Sequence, residues 1–409
     1  MPSFSCHDFP MISVIQAQEL IDQHSGPLRD EAVSLARMHG RVLREPVSTA
    51  EDLPLFDRSA MDGYAVLGDD PSDELDVVDE IRAGQAIDRQ LQAGQAIRIF
   101  TGARMPGPGL KVVLQEHVEA RDRRIRLLKR PPASNVRQRG EDARAGEVLL
   151  APGTTLDATA VALLASVGKA SVLVSKQPGI LHLTTGDEII PPEQTPKPGQ
   201  IRNSNASLIS ALCREQGVDA VSQYHAPDDL PTLLKIFSDA KVETYDMVLI
   251  SGGSGQGTYD FSAELFRHLG ATIHFREVNV RPGKPLIFGT TAQAQVIFGL
   301  PGNGLSHFVC FHLFVRRALD RLLARPAATV THGFLAEPLP DTMNARETWW
   351  PAQASLKEGR LECRALPWKS SGDITRLPSA NALIQVPAST SHLDARTMVQ
   401  VLLTGNLIS

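Results

Sequence analysis

The chain has 409 residues, more than one hydrophobic core usually supports, so two to four domains are expected. Apolar residues make up 42% and charged residues 21%, a globular balance that excludes a disordered chain. A net charge of −5 with both signs interspersed leaves no broad basic face, so nucleic acid is not expected as a partner.

The four cysteines, Cys6, Cys213, Cys310 and Cys363, lie far apart without a C-x-x-C pair. Reduced, mostly buried thiols are expected rather than a zinc site or a disulfide framework. No apolar run reaches the roughly 18 residues that span a bilayer. The opening MPSFSCHDFPMIS lacks a signal peptide's basic start and apolar core, so a cytoplasmic protein with no membrane partner is expected.

From Ile12 to about Gly40 the apolar spacing is helical, with a start signal at Ser13 and a stop at Gly40, and predicts two short helices. From Glu51 to about Leu150 the pattern changes to short alternating runs separated by Gly and Pro, a β-rich insert. Within it the cationic run Arg121 to Arg130, RDRRIRLLKR, reads as the solvated face of a strand hairpin. A helix is expected from about Asp157 to Val167, its apolar face at Val161, Leu163, Leu164 and Val167 packing with the early helices.

From Lys176 to about Arg325 one grammar repeats: an apolar strand, a loop rich in Gly, Asp or Asn, then an amphipathic helix. That alternation implies a parallel sheet with right-handed crossovers. The tail from about Ala327 is β-patterned again and suggests a small barrel or sandwich.

In a parallel sheet the loops after the strand ends meet along one edge, where ligands bind. Those loops hold Thr185, Gly186, Asp187 and Glu188, then Asp228 and Asp229, then Gly252 to Asp260, then Pro301 to Gly304. Glycines admit a phosphate close to the backbone, and helix-start amides face it with positive dipole ends. Carboxylates beside such an anion call for a divalent cation, naturally magnesium. VRPGKP adds Arg281 and Lys284 on a rigid turn ahead of a strand, suited to an oxyanion. FDRSAMDGYAV places Asp62 ahead of a strand, and IFTGARMPGPG places Thr101 at a strand end.

Each piece has a plainer reading when taken alone. The glycine stretch SGGSGQG is a tight connection that matches neither the P-loop nor the G-x-G-x-x-G pattern, TGDE and Asp228 are helix caps, and PGNG is a turn. Their convergence on one sheet edge favours a site.

Together these stretches resemble the molybdopterin molybdenumtransferase family, which includes the C-terminal region of gephyrin. FDRSAMDGYAV, FTGARMPG with VVLQE, RQRGEDARAGEVLLAPGT, TGDEI, GQIRNSN, the SGG stretch with YDF, RPGKPLIFG, GLPGN and SSGDITRL with ANALI follow the family order over nearly the whole chain. The resemblance implies a multidomain α/β plus β fold: a helical linker region (24–50 with 147–176), a β-rich domain (51–146), a parallel-sheet molybdopterin-binding α/β domain (10–23 with 177–328) and a C-terminal small β-barrel (329–409). It implies insertion of molybdate into adenylylated molybdopterin with release of AMP, assisted by Mg2+. The alternatives are a non-catalytic carrier or scaffold for the cofactor and a tungstate-preferring variant.

As implied by the family, the catalytic set is Asp62, Thr101, Asp142, Glu188, Asp228 and Asp260, with Glu188, Asp228 and Asp260 on the metal. Ser251, Gly252, Gly253, Gly257, Arg281, Lys284, Pro301, Gly302 and Asn303 bind the pterin or its phosphate. The family further implies a homodimer whose active site is shared, Asp62 and Thr101 of one subunit reaching Glu188 and Asp260 of the other. The preceding adenylyltransferase and acceptor molybdoenzymes are the implied protein partners. Departures from the family pattern fall at Ser254, Gly255 and Gln256 in the glycine stretch, at Glu277 where lysine is common, at Gly304 where proline is usual, and at Pro351 in place of an arginine.

Overall fold

A computed structural model describes residues 9–130, 132–252, 258–340 and 342–407, without the side chains of 258–261. The chain divides into two compact units, one of Met1–Arg44, Gly153–Leu156 and Val172–Ser409 and one of Glu45–Pro152 and Asp157–Ser171.

The first unit is built on a six-stranded sheet in the order Val221–Ala226, Ile180–Thr185, Met247–Gly252, Val296–Pro301, Pro285–Thr290, Thr272–Glu277. The first four strands are parallel, as the strand-loop-helix grammar predicts. The last two are antiparallel, so the sheet is mixed rather than parallel throughout. Loop length explains this: residues 278–284 and 291–295 are too few for a crossover helix, which takes about a dozen residues or more.

Every residue of Ile180–Thr185, Met247–Gly252 and Val296–Pro301 is buried, as expected of central strands covered on both faces. Met247, Leu249 and Phe298 pack on one face with Ile209 and Leu212 of the helix Ser204–Glu215 and Leu305 and Phe311 of the last long helical run. Val248, Ile250 and Ile297 pack on the other with Leu233 and Phe237 of Leu230–Asp239 and with Leu265 and Phe266 of Thr258–His268. Alternate residues of each strand thus serve opposite helix layers, and the polar loops are left at the strand ends.

The helix Val14–His24 starts at Ser13 with a full capping box, Ser13 and Gln16 each bonding the other's amide. The second predicted helix does not form. Asp30–Ser34 is a strand paired with Ser171–Ser175, and only Leu35–Arg37 makes a helical turn. Within Asp30–Ser34 only Val33 is buried, which gives a helix no apolar stripe to cover, so strand pairing prevailed over propensity.

The C-terminal strands Glu347–Lys357, Arg360–Ala365, Val330–Leu335, Met398–Leu403 and Ala382–Val386 pair in that order, and the last returns to the first, closing a five-stranded barrel. The short strand Val280–Arg281 adds in parallel beside Glu347 and Thr348. The turn that precedes the Pro285–Thr290 strand is thereby fastened to the barrel.

The second unit is the predicted β-rich insert. Its sheet runs Leu110–Leu114, Gly63–Leu67, Gln95–Ile99, Glu74–Ile81, Arg124–Leu127, Val118–Arg121. The last two strands are the predicted cationic hairpin, with Ile125 and Leu127 buried between exposed arginines. The predicted helix is Ala158–Ser166, capped by Asp157 and grouped with this unit. It buries Ala160 and Leu164, while Val161, Leu163 and Val167 are only half-covered. Cys213, Cys310 and Cys363 are free and buried, and Cys6 lies outside the described residues. Among the described residues no helix is long and apolar enough to cross a membrane.

Candidate functional site

The four parallel strands end level with one another: Thr185 stands opposite Ala226, Thr184 opposite Ser251, and Gly252 opposite Pro301. The loops that follow therefore meet at one sheet edge, as the sequence predicts. Asp228 accepts the Thr185 hydroxyl at 2.6 Å, and its amide donates to Asp187 Oδ1 at 3.2 Å. The cap of the next helix is Asp229, which accepts the Thr232 amide at 3.0 Å. The capping reading of Asp228 is thus replaced by a contact with the neighbouring strand. Glu188 folds back over Gly186, where φ is +145° and a Cβ would stand 2.7 Å from Glu188 Oε2. Only glycine leaves room for that carboxylate.

The Asp260 backbone lies in the helix Thr258–His268. Its side chain, and Gly253, Ser254, Gly255, Gln256 and Gly257, lie outside the described residues. Among the described residues no group of three or more His, Cys, Asp or Glu is placed to hold a metal ion. Ser251 is buried, and its hydroxyl bonds His182 at 2.7 Å and His307 at 2.6 Å. The structure turns this predicted ligand-binding side chain inward.

Beside the same strand ends lies a cleft of about 310 Å³ whose walls come from the Arg281–Pro285 turn, the Pro301–Asn303 turn with Ser306, and the barrel residues Arg346, Trp368, Lys369, Ser370 and Ser371. Pairing of Val280–Arg281 with Glu347–Lys357 is what brings the two arginines together. Arg281 lies over the Trp368 ring, 4.8 Å from its centroid, and Arg346 donates to the Val280 carbonyl at 3.3 Å. Burial, and then the charge of Arg346, lower the pKa of Arg281 from its ordinary value, but a guanidinium remains charged. Lys284 is held by Glu277, Nζ to Oε2 at 3.2 Å. Among the described residues Arg281, Arg346 and Lys369 form no ion pair.

The Pro301–Asn303 turn is braced from both sides. Asn205 donates to the Gly302 carbonyl at 2.6 Å, and Asn303 donates to Ser371 Oγ at 2.8 Å. Three unpaired cations, several hydroxyls and an aromatic platform facing one small space suit an oxyanion, which would offset the mutual repulsion of the arginines.

In the second unit Asp62 and Thr101 form one group: Asp62 Oδ1 accepts both the amide and the hydroxyl of Thr101, each at 2.7 Å. These bonds, the amide first, hold the Asp62 pKa below its ordinary value. Asp142 is bonded instead to Arg137, which also pairs with Glu141.

Sequence reasoning missed Arg346, Trp368, Lys369 and Ser371 as cleft residues, although SSGDITRL was noticed as a motif. It looked for a barrel arginine at Pro351. That residue is buried in a barrel strand opposite Leu383 and does not line the cleft, whereas Arg346 does. Gly304 is explained by packing: a Cβ there would stand 2.5 Å from Ile374 Cγ2, so a proline or any other side chain at 304 would collide with the isoleucine.

Three family models match the chain in succession: the MoeA N-terminal region (domain I and II) over residues 12–168, a probable molybdopterin binding domain over 182–321, and the MoeA C-terminal region (domain IV) over 335–404. The molybdopterin molybdenumtransferase of Nostoc sp. is 36% identical over 385 residues, covering 91% of this chain and 88% of that protein. The enzyme of that name from Bacillus subtilis is 32% identical over 389 residues, covering 91% and 89%. The crystal structure of a molybdopterin biosynthesis moeA protein from Pyrococcus horikosii superimposes with a TM-score of 0.80 at 29% identity, covering 97% of this chain and all of that one. With the strand-end loops, the barrel and these matches all in agreement, the chain belongs to the molybdopterin molybdenumtransferase family.

Proposed function

We propose that this protein inserts molybdate into the dithiolene of adenylylated molybdopterin and releases AMP. The observation that carries the reading is the cleft with three unpaired cations, Arg281, Arg346 and Lys369, on the same sheet edge as the loops that bear Glu188 and Asp228. A tetrahedral dianion such as molybdate suits that charge, and the hydroxyls of Ser306, Ser370 and Ser371 can donate to its oxygens. The backbone around Gly252 and Pro301 to Asn303 lies next to it and would take the pterin phosphate.

Magnesium belongs to the same proposal. Among the described residues no side chain or amide donates to the Glu188 carboxylate, whose backbone carbonyl takes the Ile201 amide at 2.8 Å, and Asp228 is oriented by Thr185. With Asp260 they would offer the hard carboxylate oxygens that magnesium takes. When bound, the cation would offset repulsion between these carboxylates and the phosphate. A homodimer, in which Asp62 and Thr101 of a second copy complete the site, is also proposed, as are a cytoplasmic setting and contacts with the preceding adenylyltransferase and with acceptor molybdoenzymes.

The test is direct. Full-length protein mixed with adenylylated molybdopterin, magnesium and molybdate should release AMP and yield cofactor that activates an apo-molybdoenzyme. Absence of AMP release above the blank would sink the reading, and binding without turnover would favour a carrier.

A further inference from the structure

Beneath the sheet edge, His182, Ser251 and His307 form a chain of hydrogen bonds on three different elements. His182 lies in the strand Ile180–Thr185, Ser251 in Met247–Gly252, and His307 in the helix Gly304–Cys310 that follows the Pro301–Asn303 turn. Both imidazoles have no solvent exposure and Ser251 has 2%. The links are His182 Nδ1 to Gln223 Oε1 at 2.8 Å, His182 Nε2 to Ser251 Oγ at 2.7 Å, and Ser251 Oγ to His307 Nε2 at 2.6 Å.

The outer end decides the direction of every bond. Gln223 Nε2 donates to the Ala206 carbonyl at 3.1 Å and to Ser210 Oγ at 3.2 Å. Turning that amide over would set two oxygens against each other at the Ala206 carbonyl, so Gln223 Oε1 must face His182. His182 therefore carries its proton on Nδ1 and accepts at Nε2. Ser251 has one proton and donates it to His182, so it must accept from His307, which carries its proton on Nε2. Both rings are neutral in this arrangement, consistent with burial, which drives His182 down to about 3 and His307 to about 4. His307 Nδ1 then forms no hydrogen bond of its own, and the Asn303 and Pro301 carbonyls near the ring raise its pKa against the larger effect of burial.

We propose that this one-way relay is a positioning device: Gln223, His182, Ser251 and His307 brace the end of the Met247–Gly252 strand against the first turn of the helix after Pro301–Asn303. It thereby sets the spacing of the two backbone segments assigned to the pterin phosphate. Strand pairing alone joins Gly252 to Pro301 only through the main chain. The relay adds a side-chain brace that fixes Ser251 and His307 in single rotamers. His307 acts through Ser251 and through its own helix turn, without touching substrate.

The inference rests on the proposed pterin site, but its first test does not. In the full-length protein, 15N NMR of the imidazoles should show His182 protonated on Nδ1 and His307 on Nε2, both neutral at pH 7. His307 protonated on Nδ1, or His182 on Nε2 alone, would overturn the relay. The second test compares His307→Gln, whose amide N–H can replace the Nε2 donor, with His307→Leu, which cannot donate. Leu should raise KM for adenylylated molybdopterin roughly tenfold, the size of a lost bond to a buried acceptor, with kcat changed less. Gln should restore KM to within about twofold of the original protein. Equal KM values for Leu and the original protein, or a Gln variant as impaired as Leu, would reject the positioning role. Should His307→Leu fail to fold, the tautomers of the unaltered protein and the Gln variant's KM still decide. Failure of the unaltered protein to turn over would instead count against the proposed function and leave the tautomer result standing.

Discussion

Glu277 Oε2 lies 3.2 Å from Lys284 Nζ, and both side chains keep more than a third of their surface in solvent. The carboxylate neutralises one of the cations at the cleft. An exposed pair of this kind is worth at most about 1 kcal/mol, so it does not lock Lys284. Removing the negative charge should strengthen the field on an entering oxyanion. Glu277→Gln should lower the dissociation constant for molybdate roughly two- to fivefold by calorimetry at low salt, with the gain fading at high ionic strength. Unchanged binding would mean that Lys284 takes no part in the oxyanion site.

The close approach of Gly304 to Ile374 is testable in its own right. A Cβ on Gly304 would stand 2.5 Å from Ile374 Cγ2, and Gly304, Leu305 and Ser306 are all buried. Gly304→Ala should therefore cost about 1–3 kcal/mol in denaturant unfolding through overpacking. Adding Ile374→Ala should recover part of the loss, so the two changes together cost less than their sum. Strict additivity would show that the loss does not arise from this contact.

The sequence made the strand-end loops legible because apolar runs followed by Gly, Asp and Asn repeat four times, and a parallel sheet forces such loops together. Thr185, Glu188, Asp228 and Pro301 could therefore be gathered without coordinates. The barrel's share of the cleft was not legible. Arg346, Trp368 and Lys369 reach Arg281 only because the two-residue strand Val280–Arg281 pairs with Glu347 and Thr348, and a pairing that short leaves no periodic signal. The same limit explains Asp30–Ser34, where a distant strand partner decided the local conformation. His182 and His307 were passed over because a lone histidine in an apolar run looks like any core residue. Their meaning lies in a hydrogen-bond chain across three elements.

Asp62 offers a pH test in the second unit. The Thr101 amide and then its hydroxyl lower its pKa from the ordinary 3.8. A depressed carboxylate contributes stability above its unfolded value and loses it as pH falls through the folded value, so the affected window lies below about 3.8. The group is fully exposed and the energy is correspondingly small. Carboxyl 13C titration should place the midpoint below 3.8. Thr101→Val removes only the hydroxyl, so the midpoint should rise part of the way. A midpoint unmoved by that substitution would show that the hydroxyl bond is not made in solution.

The proposed sharing of the site between two copies has a test that needs no structure of the dimer. Asp62 belongs to one compact unit and Glu188 to the other, so the two can be inactivated separately. Asp62→Asn and Glu188→Gln should each abolish most AMP release as pure proteins. If each site takes Asp62 from one copy and Glu188 from the other, a mixed dimer holds one intact site and one that is doubly defective. Random re-assortment of equal amounts makes half of the dimers mixed, so about a quarter of the unaltered activity should return after mild dissociation and reassembly. A site built within one chain would contain one defect in every copy, and the mixture would stay inactive. Activity regained in proportion to the mixed dimers isolated by tagging would tie the recovery to subunit exchange, whereas recovery in unexchanged samples would reject it.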